Sequence, residues 1–342
     1  MKVRKYVFKP YLEIFPALFL QEKTRLLSAV GKECYDIQHI GSTAVPGLGG
    51  KGIIDMALAV QQRDLEKVSH VLTNLGYIFR ESRSVPGRLF FRMDLPDDQE
   101  GIRRYHLHVT FLESNEWKTL VAFRDYLRAH PEAVQEYAEL KRKSAEEVNE
   151  EGALYREKKA PFFKKILLKA LGHQIFFVIG ASGSGKTTTL KRLERSMPTQ
   201  CSLIHFDSIG VPSFEEMEKE YGSIEQWQRI KTLEWVEQLA KEHLIKSHII
   251  FDAQIRPAFI SEACDTYGVK YEVILFDCSD EQRKKRLIAR RNPELADENM
   301  MHWAVFLRKE CQKRQYKIID NTHITIDQTF QLFLTWLEHH LS

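Results

Sequence analysis

In residues 178–194, VIGASGSGKTTTLKRLE, the residues Gly180, Gly185, Lys186 and Thr187 follow the order G-x-x-x-x-G-K-[ST]. An apolar strand pattern precedes the loop and a helical pattern follows it, the context in which this order makes a phosphate cradle. Glycines permit the turn that aims backbone N–H groups inward, and the helix start adds a positive dipole end. Lys186 offers a point charge for the β and γ phosphates, and Thr187 a hydroxyl ligand for Mg²⁺. Gly180, Gly183, Ser184, Gly185, Lys186, Thr187 and Thr188 are therefore the expected nucleotide-binding residues, with ATP and Mg²⁺ as cofactors. The bland alternative, a Gly/Ser loop that binds nothing, is disfavoured by that context.

Three further carboxylates end apolar runs: IHFD at Asp207, IIFD at Asp252 and ILFD at Asp277. In an open α/β sheet, ligands bind outside the carboxyl ends of the strands, so these are candidates for the chemistry. Asp207 separates substrate classes. An alcohol acceptor must lose a proton, and a carboxylate at the end of the second strand serves as base, whereas a nucleoside monophosphate needs none. The competing role for Asp207 is a helix cap or turn in FDSIG. Asp277, followed by CSDEQRKKRL, reads as the cap of the next helix and is assigned no chemistry.

These residues need a scaffold. The runs QIFFVIG, CSLIHFD, SHIIFDA, KYEVILFD and YKIIDN alternate with helical segments, the pattern of a doubly wound parallel sheet covered on both faces. The preceding half differs: a short helix, strands around DIQHIG, GIIDMALAV, RLFFRMDL and RRYHLHVTFL, then a charged stretch from Phe111 predicted to form several helices. Pro131 marks a break and a new first turn, and Gly172 ends the helical region. The expected domains are residues 1–171, an α+β mixed sheet, and residues 172–342, an α/β P-loop domain.

At 342 residues, 43% hydrophobic and 28% charged, the chain is long enough for two ordinary domains. Fifty Lys plus Arg against forty-seven Asp plus Glu give no electrostatic reason to expect nucleic acid or an anionic membrane, leaving small molecules and proteins as the expected partners. Five scattered cysteines, without C-x-x-C spacing, suggest neither a zinc site nor a disulfide framework. The start has a basic head, but Lys9, Pro10, Glu13 and Pro16 interrupt its apolar stretch, and no small-residue cleavage site follows. No window approaches the roughly 18 uninterrupted apolar residues of a membrane span. The expected compartment is the cytoplasm.

From residues 173 to 337 the chain resembles the P-loop small-molecule and nucleotide kinases. In FDAQIR, Asp252 and Arg256 keep the spacing of the D-G-F-P-R element of adenylate-kinase-like enzymes, with Ala253 and Ile255 in place of its glycine and proline. The resemblance implies that Asp252 organises the hydrated magnesium and that Arg256 grips a phosphate; a solvated strand-end turn is the alternative for Asp252. RKKRLIARRN resembles the helix leading into an arginine-bearing lid, which makes Arg286, Arg290 and Arg291 candidates to neutralise transferring charge, against a merely solvated basic face. IIDNTHITIDQ resembles the last strand and loop of such kinases, whose backbone near Asn321 and Thr322 lies beside the adenine ring.

Residues 37–60, IQHIGSTAVPGLGGKGIIDMALAV, resemble the GrpB family, whose fold is that of nucleotidyltransferases. FKPYLEIFPALF, HLHVTF, AFRDYLRAHPEAVQEYAELK and YREKKAPFF extend the match over about residues 5–168. The resemblance implies a Gly-Ser turn for a triphosphate, Gly41 and Ser42, followed by strand carboxylates that hold metal ions. Asp55 supplies one carboxylate, but the next position on its face is Ala57, so half of the metal clamp is missing. Asp94 is a candidate third acid, with Arg88, Arg92, Arg103, Arg104, His106 and His108 gathered nearby. The two histidines of HLHV share a strand face, as anion or metal ligands or as a structural pair.

The expected function is ATP- and Mg²⁺-dependent phosphoryl transfer to a small-molecule acceptor by the C-terminal half, with Lys186, Asp207, Asp252, Arg256 and Arg290 as its catalytic residues. Thr187 and Asp252, and Asp55 in the other half, are the expected metal ligands, and the N-terminal half binds an anionic ligand or nucleotide. The alternatives are an ATP-binding or ATPase regulatory protein whose N-terminal domain recognises a partner, and a nucleotidyltransferase.

Overall fold

The computed structural model describes residues 8–112, 114–147 and 152–341. The basic head, residues 1–7, and residues 148–151, inside the stretch read as helical, lie outside the described residues. The chain divides into two compact units, Met1–Leu171 and Gly172–Ser342.

The first unit is built on a mixed sheet of β1 (Asp36–Ile40), β2 (Ile54–Val60), β3 (Ile78–Phe79), β4 (Arg88–Asp97) and β5 (Gly101–Phe111), in the order β1-β2-β5-β4-β3. β2 and β5 run parallel and every other pair is antiparallel. Beyond Asp55, β2 is apolar on both faces because both are covered. Ile54, Met56, Leu58 and Val60 pack with Phe15, Leu26 and Val30 of α1 (Phe15–Val30) and with Val68 and Leu72 of α2 (Leu65–Asn74). Ala57 and Ala59 point the other way, where their small side chains pack with Ile40 and with Trp117 of α3 (Asn115–Ala129). Behind that face, α4 (Pro131–Glu147) and α5 (Gly152–Leu171) close a second core on the loop after β1, through Val45, Leu48, Leu127, Val134, Tyr137, Phe162 and Ile166.

The second unit carries five strands: β6 (Ile175–Ile179), β7 (Cys201–His205), β8 (His248–Ala253), β9 (Tyr271–Asp277) and β10 (Lys317–Asp320). All are parallel, in the order β10-β9-β6-β8-β7. Between them run α6 (Lys186–Leu193), α7 (Phe214–Tyr221), α8 (Ile224–Gln238), α9 (Pro257–Tyr267), α10 (Asp280–Ala289) and α11 (Glu298–Lys313), and α12 (Ile326–Leu341) ends the chain. A parallel sheet must bury both faces. Phe176 and Val178 of β6 pack with α6 and α12 through Leu190, Leu193, Phe330 and Phe333. On the opposite face Phe177 meets Phe251, which meets Trp235 of α8.

The mixed α/β architecture, with a mixed first sheet and an all-parallel second one, agrees with the sequence pattern, and α4 begins at Pro131. Two elements are additional: α2, whose buried residues are only Val68 and Leu72, and β3, two residues long with both side chains exposed. So few apolar positions set no legible period. α1 is sixteen residues rather than a short helix. Among the described residues no helix is long and apolar enough to cross a membrane.

Candidate functional site

β6 lies at the centre of its sheet with β8 on one side and β9 on the other, so the strand order switches at its carboxyl end. A loop there opens into a crevice rather than onto a neighbouring crossover. That loop is residues 180–185, and it is shaped by glycines. A Cβ at Gly180 would sit 2.6 Å from the Phe276 carbonyl oxygen and 2.8 Å from Ser184 Oγ, and Gly185 has φ of 90°, a left-handed conformation. Ser184 Oγ is buried without a hydrogen-bond partner among the described residues.

The loop is braced from behind. Arg283, buried on α10, donates to the carbonyls of Ala181 (3.3 Å) and Ser182 (3.0 Å) and to Asp277 Oδ1 (2.6 Å). Asn321 Nδ2 donates to the Ser184 carbonyl at 2.7 Å, and Arg286 in turn binds Asn321 Oδ1 (2.7 Å) and its carbonyl (2.9 Å). Two expectations change as a result. Asp277 is not the cap of α10: Ser279, nearer the helix start, accepts from Gln282 N, while the two Asp277 oxygens are held by Arg283 and Arg308. Arg286 is committed to Asn321 rather than directed at a transferring group, and Asn321 is a buried brace.

At the front, Lys186 is ion-paired with Asp252 Oδ1, and the other carboxylate oxygen lies 2.9 Å from His205 Nδ1. The parallel register places His205 of β7 directly across from Asp252 of β8. His205 was absent from the sequence expectations; its signal is its place one step before the apolar run's Phe-Asp ending. Asp207 lies beyond the strand, exposed in the 3-10 turn Phe206–Ile209. Arg290 Nη2 donates to Thr188 Oγ1 at 3.0 Å, and Thr187 is exposed on the first turn of α6. Arg256 lies over the rings of Trp303 (5.0 Å) and Phe306 (5.4 Å), with Gln228 and Glu225 as hydrogen-bond partners. Lys186, Asp252 and His205 thus form one chain of contacts at the loop's mouth, and Arg290 with Thr188 a second on the first turn of α6, while Asp207 and Arg256 belong to neither.

In the first unit, Asp55 stands at the start of β2 and its Oδ1 lies 2.9 Å from Nδ1 of His106, its register partner on β5. Burial alone would raise the Asp55 carboxyl, but the hydrogen bond from His106 and the nearby charges of His106, His108 and His39 hold it below its ordinary value. Gly41 has φ of 70°, and a Cβ there would fall 2.5 Å from Asp55 Oδ2, so the Gly41–Ser42 turn lies directly against the carboxylate. Ala57 faces His108, whose Nδ1 is buried without a partner among the described residues and whose imidazole is pushed down to about 3, chiefly by burial.

The other groups expected there divide by strand parity. Asp94 shares the Asp55 face, but its oxygens are bound by Arg92 and Arg104, which keep its carboxyl well below the usual range. Arg103 falls on the opposite face, buried, with Asp97, the Gly52 carbonyl and the Phe15 ring as partners; it is a structural ion pair and not an anion ligand. Among the described residues no group of three or more His, Cys, Asp and Glu is arranged to hold a metal ion.

A parallel sheet whose switch-point loop carries G-x-x-x-x-G-K-T defines the second unit as a P-loop kinase-like domain, and residues 177–305 match a family described as "AAA domain". Residues 6–169 match the family described as "GrpB protein". The chain is 34% identical over 158 residues to the glutamate-rich protein GrpB of Alkalihalophilus pseudofirmus, over 45% of this chain and 90% of that one. Through its N-terminal half, the chain belongs to the GrpB family. Among solved structures, the conserved protein GrpB from Enterococcus faecalis is similar at 27% identity and a TM-score of 0.43, covering 48% of this chain and 98% of that one. A sugar kinase from Janibacter sp. HTCC2649 is similar at 20% identity and a TM-score of 0.36, covering 48% of this chain and 95% of that one.

Proposed function

We propose that residues 172–342 catalyse ATP- and Mg²⁺-dependent phosphoryl transfer to a small molecule, and that residues 1–171, acting as a separate domain, bind an anionic ligand or nucleotide. The observation that carries this reading is the switch-point loop, with glycines where a Cβ would clash, a buried Ser184 hydroxyl lacking a partner, and Lys186 and Asp252 at its mouth. These residues fit a polyphosphate. Residues 180–188 and Lys186 would hold it, and Thr187 and Asp252 would hold Mg²⁺, which when bound polarises the phosphoryl oxygens. Lys186 orients the β and γ phosphates, Arg290 and Arg256 offset charge on the group in transfer, and Asp207 accepts the proton of a hydroxyl acceptor.

The test is ADP release from ATP and Mg²⁺ against panels of nucleosides, monophosphates, sugars and cofactor precursors, for the wild type and for Lys186→Ala. Acceptor-dependent turnover in the wild type that vanishes in Lys186→Ala, with the fold intact, is expected. ADP formed equally without any acceptor supports an ATPase or switch instead, and wild-type turnover in Lys186→Ala refutes the assignment. For the first unit, Ala57 at the missing acid and the commitment of Asp55 to His106 favour ligand binding over nucleotidyl transfer.

A further inference from the structure

Residues 8–13 lead into α1 without a helix or strand of their own, yet they are fixed in place. Lys9 and Gly50 exchange two backbone hydrogen bonds, Lys9 N to the Gly50 carbonyl at 2.6 Å and Gly50 N to the Lys9 carbonyl at 2.8 Å. A Cβ at Gly49 would fall 2.3 Å from Phe8 Cζ, so the Phe8 ring rests on bare backbone. The Tyr11 ring is braced edge-on by Phe15, with 5.5 Å between ring centres. These two rings line a cavity of about 580 Å³, bounded also by the loop after β1 and by α4. Cavities of this size take small organic molecules. The space is open at Gly47, where a Cβ would meet no atom within 4 Å. The lining includes none of Gly41, Ser42, Asp55 and His106.

The charges around the cavity select what it can hold. Three charged side chains line it: Glu13, Glu139 and Arg142. Arg142 and Glu139 form an ion pair along α4, and Lys143 reaches the same carboxylate at 3.4 Å, so that acid is answered twice. Glu13 is exposed and, among the described residues, has no cation or hydrogen-bond donor on its carboxylate. Burial, reinforced by the charge of Glu13, holds the Tyr11 hydroxyl above its ordinary value, so it stays a neutral hydrogen-bonding group beside that carboxylate. Aromatic faces attract cations, and an unanswered carboxylate attracts them and repels anions.

The geometry points to a binding site for a small organic ammonium ion, whose N–H groups are taken by the Glu13 carboxylate and the Tyr11 hydroxyl and whose carbon body lies against the Phe8 and Tyr11 rings. The Arg142–Glu139 pair, neutral as a unit, closes the α4 side. This ligand is separate from the anion or nucleotide proposed above for the same unit, and neither reading depends on the other.

Isothermal titration of the full chain at pH 7 with phenethylamine and phenylacetate tests it, two probes with the same ring and opposite charge. Phenethylamine should bind with a Kd of about 1 mM or tighter, and phenylacetate should not bind. Glu13→Gln, which keeps the shape and removes the charge, should weaken phenethylamine roughly fivefold or more. Ala138→Leu, which fills the cavity from α4 and leaves Glu13 in place, should abolish binding. Glu13 is exposed and Ala138 partly so, and an unchanged melting curve confirms that each variant is folded. Equal affinity for the two probes, or equal affinity of wild type and Glu13→Gln for the amine, overturns the ammonium assignment. Binding unchanged by Ala138→Leu, or no binding of phenethylamine to the wild type, overturns the site itself.

Discussion

Replacing Lys141 by methionine should make the protein more stable at neutral and acidic pH. Burial, reinforced by Lys159 and Lys51 and opposed by Asp55, pushes the ammonium from its ordinary 10.5 down to about 7 in the folded chain. For a base lowered on folding, the unfolded chain binds the proton more tightly. The penalty is therefore full below about pH 7, shrinks as pH rises, and is gone above about 10.5. Keeping the charge inside at pH 6 costs on the order of 4 kcal/mol. Methionine retains the buried stem but gives up the hydrogen bond to the Gly49 carbonyl, a loss of about 1–2 kcal/mol. The net gain at pH 6 is then about 2–3 kcal/mol, roughly 4–12 °C in the melting transition of the first unit. At pH 10 the gain should vanish or reverse. Calorimetry of the wild type and the variant at both pH values checks this. A transition lowered equally at pH 6 and pH 10 would refute the reasoning, because Lys141 would then be a plain structural tether to Gly49.

Asp252→Asn should abolish acceptor-dependent ADP release with any acceptor, whereas Asp207→Asn should be severe only when the acceptor is a hydroxyl; equal losses across acceptor classes would remove the base role of Asp207. Arg283→Met leaves Asp277 buried beside Arg308 alone and frees the carbonyls of Ala181 and Ser182, so denaturant unfolding of the second unit should show a loss of about 3–5 kcal/mol, and a loss below about 1 kcal/mol would refute a structural role. Gly41→Ala puts a Cβ 2.5 Å from Asp55 Oδ2 at a φ of 70° and should cost about 2 kcal/mol or more; an unchanged melting curve would contradict the close packing of turn and carboxylate.

The parallel sheet was legible because five apolar runs, each ending at a turn, leave no other way to bury both faces. The phosphate loop was legible because its residues are contiguous. What escaped depends on register and parity. His106 is 51 positions from Asp55, and only the parallel alignment of β2 with β5 makes them neighbours. His205 becomes a partner of Asp252 through the alignment of β7 with β8, while the base expected at Asp207 lies past the strand's end. Arg103 was grouped with the site by proximity in sequence, yet it alternates onto the face that packs against α1. Asp277 was read as a cap because it precedes a helix, although Ser279 is closer to that helix and two guanidinium groups claim the carboxylate. In ELKRKSAEE, Lys141 looks like any solvated charge. Only its phase, four positions after Tyr137 and seven after Val134, marks it as a core position.

Charge balance connects the two candidate sites by contrast. In the second unit Lys186 is matched by Asp252, and on the proposed function each has a further partner of the same sign as its present one: phosphate for the lysine, Mg²⁺ for the acid. Lys186 can therefore turn from carboxylate to phosphate, and Asp252 from ammonium or His205 toward metal, without either charge becoming isolated. Such an exchange is inexpensive and reversible, as turnover requires. Among the described residues Lys141 has no such counterpart: its ammonium meets the Gly49 carbonyl and the Tyr137 ring, and Asp55 is held by His106. The buried ammonium of Lys141 is therefore a cost that the folded chain carries whenever the group is charged, whereas the pair in the second unit holds two charges that answer each other.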